Sequence, residues 1–310
     1  SNSSAASDVY KRQKDFLLGI IIFERKAFYM IKVTLTNEIL SYITEIEQNR
    51  YKVSSVKLSK AVMNRLRKNS KKKSSYASNK IEGNPLSEKQ VDEVIESDER
   101  KHYLKPEQEV RNYFLALNYL EEKVNKKEKF SKKLILDVQK LVEKGASKEK
   151  IGLRGPMPPG VLFAVYDSKT GNPDYIPPEY CDIPGLLDEL IEYVNTTDDH
   201  PLIVAAVVHY QLVTIHPFED GNGRTARLLS GYIMDLNGYG FNGVGSLEEY
   251  FAYDIDEYYE SIQMGLPALY YSGRENPPHP EIWIHYFLRM VKLYSGKVCD
   301  LQLSLIHISE

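Results

Sequence analysis

The fold of this chain is most constrained by residues 202–215, which are apolar on nearly every side of a helix. A helix that is apolar all round is buried inside a larger structure. A second helical pattern of apolar residues starts after Gly223 and reaches Leu236, and Asn237-Gly238 predicts its end. We therefore expect two core helices that hold the short segment between them in a fixed position.

Apolar residues also recur at helical spacing in much of the remaining chain. The clearest examples are residues 108–122, 134–141 and 186–194. The exception is the strand-like run 161–166, which is followed by a turn-rich segment and then by Tyr175-Ile176, a pattern that predicts a β-hairpin. The predicted fold class is all-α, a helical bundle with one small β-hairpin.

The segment between the two core helices is dense in groups that suit polyphosphate chemistry. Its sequence is His216-Pro217-Phe218-Glu219-Asp220-Gly221-Asn222-Gly223-Arg224-Thr225. Gly221 and Gly223 allow a tight turn that points backbone N–H groups at an anion. The helix that follows adds the positive end of its dipole. The pattern predicts a site for phosphate groups.

Four side chains of this segment and of the helix behind it fit the same chemistry. His216 can accept a proton near neutral pH, and Asp220 is a hard oxygen ligand of the kind that Mg²⁺ prefers. Arg224 and Arg227 are three residues apart, so we expect them to share a helix face and to clamp adjacent phosphates. We interpret Phe218 as a core anchor of the loop.

The run resembles the signature of the Fic family, His-x-Phe-x-Asp/Glu-Gly-Asn-Gly-Arg-x-x-Arg, and it meets every fixed position. The resemblance covers roughly residues 53–293. It implies a Fic-type helical bundle with a hairpin flap, and a protein adenylyltransferase that moves AMP from ATP to a Ser, Thr or Tyr hydroxyl of a target protein or of itself. The implied cofactors are ATP and Mg²⁺.

The resemblance also implies a role for each motif residue. His216 is the expected general base, Asp220 the metal ligand, and Arg224 and Arg227 the ligands of the outer phosphates. The anion cradle is expected at Gly221, Asn222 and Gly223. The segment 254–259 is similar to a family segment that contributes to the nucleobase site, so Tyr258 and Tyr259 are candidates for stacking on adenine or for plain packing.

A second motif lies upstream, at residues 78–83. Gly83 can adopt the left-handed conformation that ends a helix, Asn84-Pro85 blocks its continuation, and Ser87 to Gln90 forms a capping box that starts the next helix. Glu82 is therefore expected at a helix C-terminus, where its carboxylate opposes the dipole and needs a cationic partner.

This upstream motif resembles the inhibitory-helix signature of Fic proteins, Ser/Thr-x-x-x-Glu-Gly/Asn. The resemblance implies that Ser78, Glu82 and Gly83 are regulatory. It also implies that Glu82 pairs with Arg227 and thereby prevents a productive pose of ATP.

Composition and charge agree with an intracellular enzyme. The chain has 310 residues, 42% hydrophobic content and a net charge of −3, which argues against nucleic acid as a partner of the whole surface. Cys181 and Cys299 show no metal spacing and no disulfide framework, so a reducing cytoplasm is expected. We expect no membrane association, and a homo-oligomer is possible.

The expected organisation has four parts. Residues 1–29 are interpreted as leader or upstream sequence, 30–105 as an N-terminal helical region with the inhibitory helix, 106–300 as the catalytic core and 301–310 as a tail. Two functional alternatives stay open. The reaction could run in reverse, removing AMP, or use another nucleotide, and the basic run 57–73 could bind nucleic acid or an acidic partner.

Overall fold

The computed structural model describes residues 33–97, 100–147, 150–166, 171–264, 267–274 and 279–309. The leader expected at residues 1–29 and the turn expected at 167–170 lie outside this part of the chain. Within it, the secondary structure is almost entirely helical, so the predicted all-α fold class is confirmed.

The described residues form eleven α-helices and two short strands. In chain order they are α1 Asn37–Ser54, α2 Lys60–Ile81, α3 Glu88–Glu96, α4 Lys105–Asn125, α5 Lys132–Glu143, β1 Val165–Tyr166, β2 Pro173–Tyr175, α6 Ile183–Thr196, α7 Pro201–Ile215, α8 Asn222–Leu236, α9 Glu248–Tyr253, α10 Ile255–Gln263 and α11 Pro280–Ser309. The last helix includes most of the residues that were interpreted as a tail.

Helices α7 and α8 pack against each other at the centre of the bundle. Nearly every side chain of α7 is buried, as its all-round apolar pattern predicts. Helix α8 begins at Asn222, two residues earlier than expected, because Gly221 takes the left-handed N-cap position with φ of 79°. Asn237 ends α8, as predicted, and Gly238 follows with φ of 81°.

Helix α2 carries the upstream motif to the centre of the bundle. It packs against α4 and α9 and also contacts α8. Glu82 is its C-cap and Gly83 follows in the left-handed region with φ of 78°. The capping box between Ser87 and Gln90 starts α3, as the sequence predicts. The end of α2 is thereby fixed beside the motif loop.

The predicted hairpin is present but shorter than expected. Val165 pairs with Tyr175 and Tyr166 pairs with Pro173, whereas residues 161–164 form no strand. Val161 and Leu162 are about half exposed. After β2, the backbone N–H of Ile176 donates to the carbonyl of Ala268, and the carbonyl of Ile176 accepts from the N–H of Tyr270. Tyr270 is the first residue of a short 3-10 turn, Tyr270–Arg274.

The basic run 57–73 lies mainly on α2, and half of its eight basic side chains bond to other parts of the chain. Arg67 donates to the carbonyl of Asn242, and Lys71, Lys72 and Lys73 form ion pairs with Glu121, Glu96 and Glu249. These contacts tie α2 to the bundle and favour a structural reading of the run. In the described part of the chain, no helix has the length and apolar character needed to cross a bilayer.

Candidate functional site

A cavity of about 420 Å³ lies where α7, α8, α10, the hairpin and the end of α2 meet. Its lining includes His216, Gly223, Arg227, Glu82, Tyr259 and Asp174. The two motifs, 134 residues apart at Glu82 and His216, therefore reach the same cavity. Its size suits a small organic ligand.

His216 sits at the C-cap of α7 in a left-handed conformation, with φ of 48°. Its Nδ1 lies 3.2 Å from the carbonyl oxygen of Val213, so Nδ1 carries the proton and Nε2 is left as an acceptor. Burial lowers the pKa of His216 to about 4, and the nearby Arg154 guanidinium acts in the same direction. The imidazole is therefore neutral near pH 7 and can accept a proton.

The motif loop is braced by its own side chains. Asn222 accepts from the N–H of Phe218 at 3.0 Å and donates to its carbonyl at 2.8 Å. Phe218 is 1% exposed and acts as the core anchor that the sequence suggested. The amide of Asn222 is thus used inside the loop, and any anion contact from this residue comes from its backbone N–H in the first turn of α8.

Asp220 is held as an anion by three donors. Its Oδ1 accepts from the N–H of Gly221 at 2.8 Å and from Nη2 of Arg224 at 3.3 Å, and its Oδ2 lies 3.4 Å from the ammonium of Lys150. Partial burial opposes ionisation, but Arg224, the N–H of Gly221 and Lys150 outweigh it and lower the pKa of Asp220. The carboxylate is therefore ionised at neutral pH.

Arg227 forms hydrogen bonds to the end of α2. Its Nε donates to Oγ of Ser78 at 2.8 Å, and its Nη2 donates to the carbonyl of Ser78 at 3.0 Å and to Oε1 of Glu82 at 2.6 Å. Burial disfavours the charge of Arg227, yet the neighbouring Tyr258 and Glu82 raise its pKa. The contact between Glu82 and Arg227 that the resemblance implied is present in the structure.

The carboxylate of Glu82 also lies against the N-terminus of α8. A Cβ added to Gly223 would collide with Oε1 of Glu82, so the glycine is what allows this approach. The first turn of a helix carries unpaired N–H groups and a positive dipole. Glu82 therefore occupies a position that suits a phosphate.

The two motif arginines do not form the common clamp that their spacing suggested. Arg227 turns toward α2, whereas Arg224 turns toward α5 and is absent from the lining of the cavity. Arg224 is 3% exposed and its Nη2 donates to Oε1 of Glu143 at 2.9 Å. The tertiary packing around α8 overrides the expectation from helical spacing.

The two tyrosines of α10 have different environments. Tyr258 is 2% exposed, and its hydroxyl contacts Nε2 of His209 at 2.9 Å and Nη1 of Arg227 at 3.3 Å. Tyr259 is 44% exposed and donates to the carbonyl of Ile81 at 3.2 Å. Both line the cavity, but the burial of Tyr258 makes it a packing residue and leaves Tyr259 as the better stacking surface.

Three residues beside the motif were not anticipated from the sequence. Arg154 donates from Nε to the carbonyl of His216 at 2.8 Å. Its backbone N–H donates to the carbonyl of Pro217 at 2.9 Å. Lys150 faces Asp220, and Glu143 faces Arg224. No spacing connects these residues to the motif, because each comes from a segment about 60 to 80 positions upstream.

Comparisons with known proteins agree with this geometry. Residues 129–234 match the model of the Fic/DOC family. The chain is 28% identical over 204 residues to protein adenylyltransferase Fic of Drosophila grimshawi, which covers 64% of this chain and 40% of the relative. It is 29% identical over 202 residues to the protein of the same name from Aedes aegypti, with 63% and 38% covered. The chain thus spans about two fifths of the length of these curated relatives.

Solved structures show the same fold. A Fic family protein from Desulfovibrio desulfuricans superposes with a TM-score of 0.67 at 22% identity, covering 88% of this chain and 77% of that one. Fic-1 from C. elegans gives a TM-score of 0.66 at 20% identity, with 100% and 79% covered.

Proposed function

We propose that this chain, which contains a Fic domain at residues 129–234, is a protein adenylyltransferase that transfers AMP from ATP to a Ser, Thr or Tyr hydroxyl of a target protein. The observation that carries the proposal is the cavity in which the base His216, the helix N-terminus at Gly223 and the cation Arg227 converge. The names of the curated relatives support the same activity.

In the proposed reaction, the target hydroxyl loses its proton to Nε2 of His216 while its oxygen attacks the α-phosphorus of ATP. A new phosphorus–oxygen bond forms, the bond to the bridging oxygen of the β-phosphate breaks, and pyrophosphate leaves. The hydrogen bond from Nδ1 to Val213 keeps Nε2 free for this step. The backbone of Arg154 and its guanidinium brace the loop that carries the base.

The residues around Asp220 fit a magnesium ion that is shared with the nucleotide. Asp220 is ionised and its side chain is 30% exposed, and no group of three His, Cys, Asp or Glu side chains suited to a metal occurs in the described residues. A single carboxylate is typical of Mg²⁺ sites in which phosphates and water supply the other ligands. When bound, the ion would offset charge that develops on the phosphates.

The phosphates themselves are proposed to bind at the N-terminus of α8, at the backbone of Gly221, Asn222 and Gly223, with Arg227 as the cationic ligand. Arg224 reaches the phosphates in this proposal only if it leaves Glu143. Tyr259 is the proposed surface for the adenine ring.

We further propose that Glu82 is autoinhibitory. Its carboxylate pairs with Arg227 and lies on the N-terminus of α8, so it occupies both groups that a terminal phosphate would use. A carboxylate–arginine pair of this kind contributes about 1–3 kcal/mol, enough for roughly tenfold to hundredfold repression. Ser78 and Gly83 are proposed to support this state, since Ser78 holds Arg227 and Gly83 ends the helix.

A reverse activity is the second candidate, because Glu82 and His216 line the same cavity. In that reading, Glu82 orients a water that attacks the phosphorus of an AMP-modified protein. The bond between phosphorus and the protein oxygen breaks, AMP is released, and the freed hydroxyl oxygen takes up a proton in place of the one that the water loses. Transfer of a different nucleotide would use the same groups. A cytoplasmic location, self-modification and a homo-oligomer belong to the proposal as well.

The proposal is tested by incubating the protein with isotope-labelled ATP, Mg²⁺ and candidate target proteins, followed by mass spectrometry of modified peptides. Asp220→Ala should abolish Mg²⁺-dependent transfer, whereas Glu219→Ala, at the neighbouring and exposed position, should change it little. The opposite ranking contradicts the assignment of the metal ligand. If wild type releases AMP from a modified protein and Glu82→Gly does not, the reverse activity takes precedence.

A further inference from the structure

Glu143 is the most deeply buried carboxylate beside the motif loop. It is the last residue of α5 and is 0% exposed. Its Oε1 accepts from Nη2 of Arg224 at 2.9 Å, whereas its Oε2 has no hydrogen-bond partner among the described residues. Burial raises the pKa of Glu143 to about 7, while the Arg224 guanidinium acts in the opposite direction and favours the charged form. A buried carboxylate with half of its acceptor capacity unused carries a large desolvation cost. Packing alone would not favour a glutamate at this position.

Arg224 connects Glu143 to Asp220. The same Nη2 that bonds to Glu143 also lies 3.3 Å from Oδ1 of Asp220. The other guanidinium nitrogens of Arg224, Nε and Nη1, are buried without a hydrogen bond in the described structure, and Nη1 lies 3.7 Å from Glu109. One nitrogen thus serves two carboxylates, and the stronger acceptor decides how tightly the guanidinium approaches Asp220.

Glu143 also touches the backbone that positions Asp220. A Cβ placed on Gly221 would lie 2.6 Å from Oε1 of Glu143, so the carboxylate packs directly against the glycine. The N–H of Gly221 in turn donates to Oδ1 of Asp220 at 2.8 Å. Glu143 therefore supports Asp220 by two routes, through Arg224 and through the turn of the loop.

We propose that Glu143 is a positioning residue that limits how closely the Arg224 guanidinium pairs with Asp220 and so keeps the Asp220 carboxylate available to a divalent cation. The inference rests on the proposed function, because Asp220 is the proposed metal ligand. Without the charge of Glu143, Asp220 becomes the nearest carboxylate to a buried cation. The Arg224–Asp220 pair then tightens, and the guanidinium competes with the metal.

The experiment measures how much a divalent cation strengthens ATP binding. The background is the variant Glu82→Gly with His216→Ala, in which the cavity is opened and transfer is blocked, so ATP stays intact. Dissociation constants for ATP are determined by isothermal titration calorimetry in EDTA and in excess Mn²⁺, at a pH above the pKa of Glu143, which is about 7. The ratio of the two constants is the contribution of the metal, and it needs no turnover.

Glu143→Gln keeps the shape and one acceptor but removes the charge, whereas Glu143→Leu removes both. We expect the ratio to fall about threefold in the first and about tenfold in the second, since coupled charges in one network interact by about that much. Glu109→Gln is the matched control, because Glu109 approaches the same guanidinium at 3.7 Å and accepts a hydrogen bond from Asn84. It should leave the ratio unchanged.

An unchanged ratio in both folded Glu143 variants would overturn the proposal, and so would tighter binding of metal-free ATP that accounts for the whole change. The latter would instead make Glu143 a restraint that keeps Arg224 from phosphate. Asp220→Ala is the reference and should bring the ratio close to one. If it does not, the metal assignment in the proposed function fails together with this inference, whereas failure of Glu143 alone leaves that assignment standing.

Discussion

The two arginines of the motif helix are both paired with glutamates, but in different surroundings. Arg227 meets Glu82 at the edge of the cavity, and the glutamate side chain keeps 34% of its surface exposed. Arg224 meets Glu143 in the interior, where the two side chains are 4% and 0% exposed. The two pairs lie within one turn of α8, yet one faces the proposed nucleotide site and the other faces α5.

The difference in exposure indicates that the Glu82–Arg227 pair can open and that the Glu143–Arg224 pair stays closed. Water can replace the partly exposed carboxylate of Glu82, and the buried Arg227 keeps its hydrogen bonds to the side chain and carbonyl of Ser78 when Glu82 leaves. A buried pair that loses one partner leaves an uncompensated charge in the interior, which is strongly destabilising. We therefore interpret the Glu82 pair as a regulatory contact and the Glu143 pair as a fixed support.

The largest expected effect concerns the base, which lies outside both pairs. If the Glu82 pair only controls access, then opening it cannot replace the chemistry of His216. Adding His216→Ala to Glu82→Gly should lower AMP transfer by about 10²–10⁴, as expected for loss of a general base. The rate is measured with labelled ATP and Mg²⁺, with ATP affinity as the control. Equal transfer by both variants would remove His216 from the mechanism.

The second largest effect concerns how much each ion pair contributes to the free energy of unfolding. Glu143→Ala should lower the free energy of unfolding by about 3–5 kcal/mol, because it removes the nearest carboxylate of the buried Arg224 and leaves that cation with its longer contacts to Asp220 and Glu109. Glu82→Ala should lower it by about 1 kcal/mol or less, since that carboxylate is partly hydrated. Urea unfolding followed by circular dichroism measures both. Similar losses in the two variants would show that the two ion pairs contribute equally to stability.

The third effect concerns the regulatory role of the outer pair. Glu82→Gly should raise self-modification with ATP and Mg²⁺ by about tenfold to hundredfold, because Arg227 and the N-terminus of α8 become free for phosphate. Arg227→Ala should not reproduce the gain, since it also deletes the phosphate ligand. Equal incorporation of AMP by wild type and Glu82→Gly, across a range of ATP concentrations, would leave Glu82 as a helix-end carboxylate without regulatory function.

The smallest expected effect is the pH dependence of the AMP transfer rate, which should be nearly flat above pH 6. Burial lowers the pKa of His216 to about 4, so the imidazole is already unprotonated at pH 6. In the Glu82→Gly variant, the transfer rate should change little between pH 8 and pH 6 and should fall only as the pH approaches the pKa of the base. A fall with a midpoint near the ordinary histidine pKa, about 6.5, would show that His216 is hydrated in the open enzyme.

The sequence was sufficient for those features that depend on local chemistry. The all-round apolar pattern of α7, the capping box at Ser87 and the left-handed Gly83 were each predicted from neighbouring residues and are confirmed by the structure. The resemblance to Fic proteins also anticipated the contact between Glu82 and Arg227. The domain boundaries and the roles of the site residues stay predictions.

Tertiary structure alone decided where the charges of the motif point. By sequence, Arg224 and Arg227 are equivalent, since both follow the glycine turn on one helix and their spacing places them on one face. The packing of α2 on one side and α5 on the other gives each arginine its own glutamate, and the degree of burial sets how strongly each pair is held. Glu143 looks from the sequence like an ordinary residue at the end of an amphipathic helix, because nothing local reveals that its side chain is enclosed. Local sequence fixes backbone conformation through propensity and capping, whereas the free energy of a charge depends on everything that surrounds it, and only the assembled bundle supplies those surroundings.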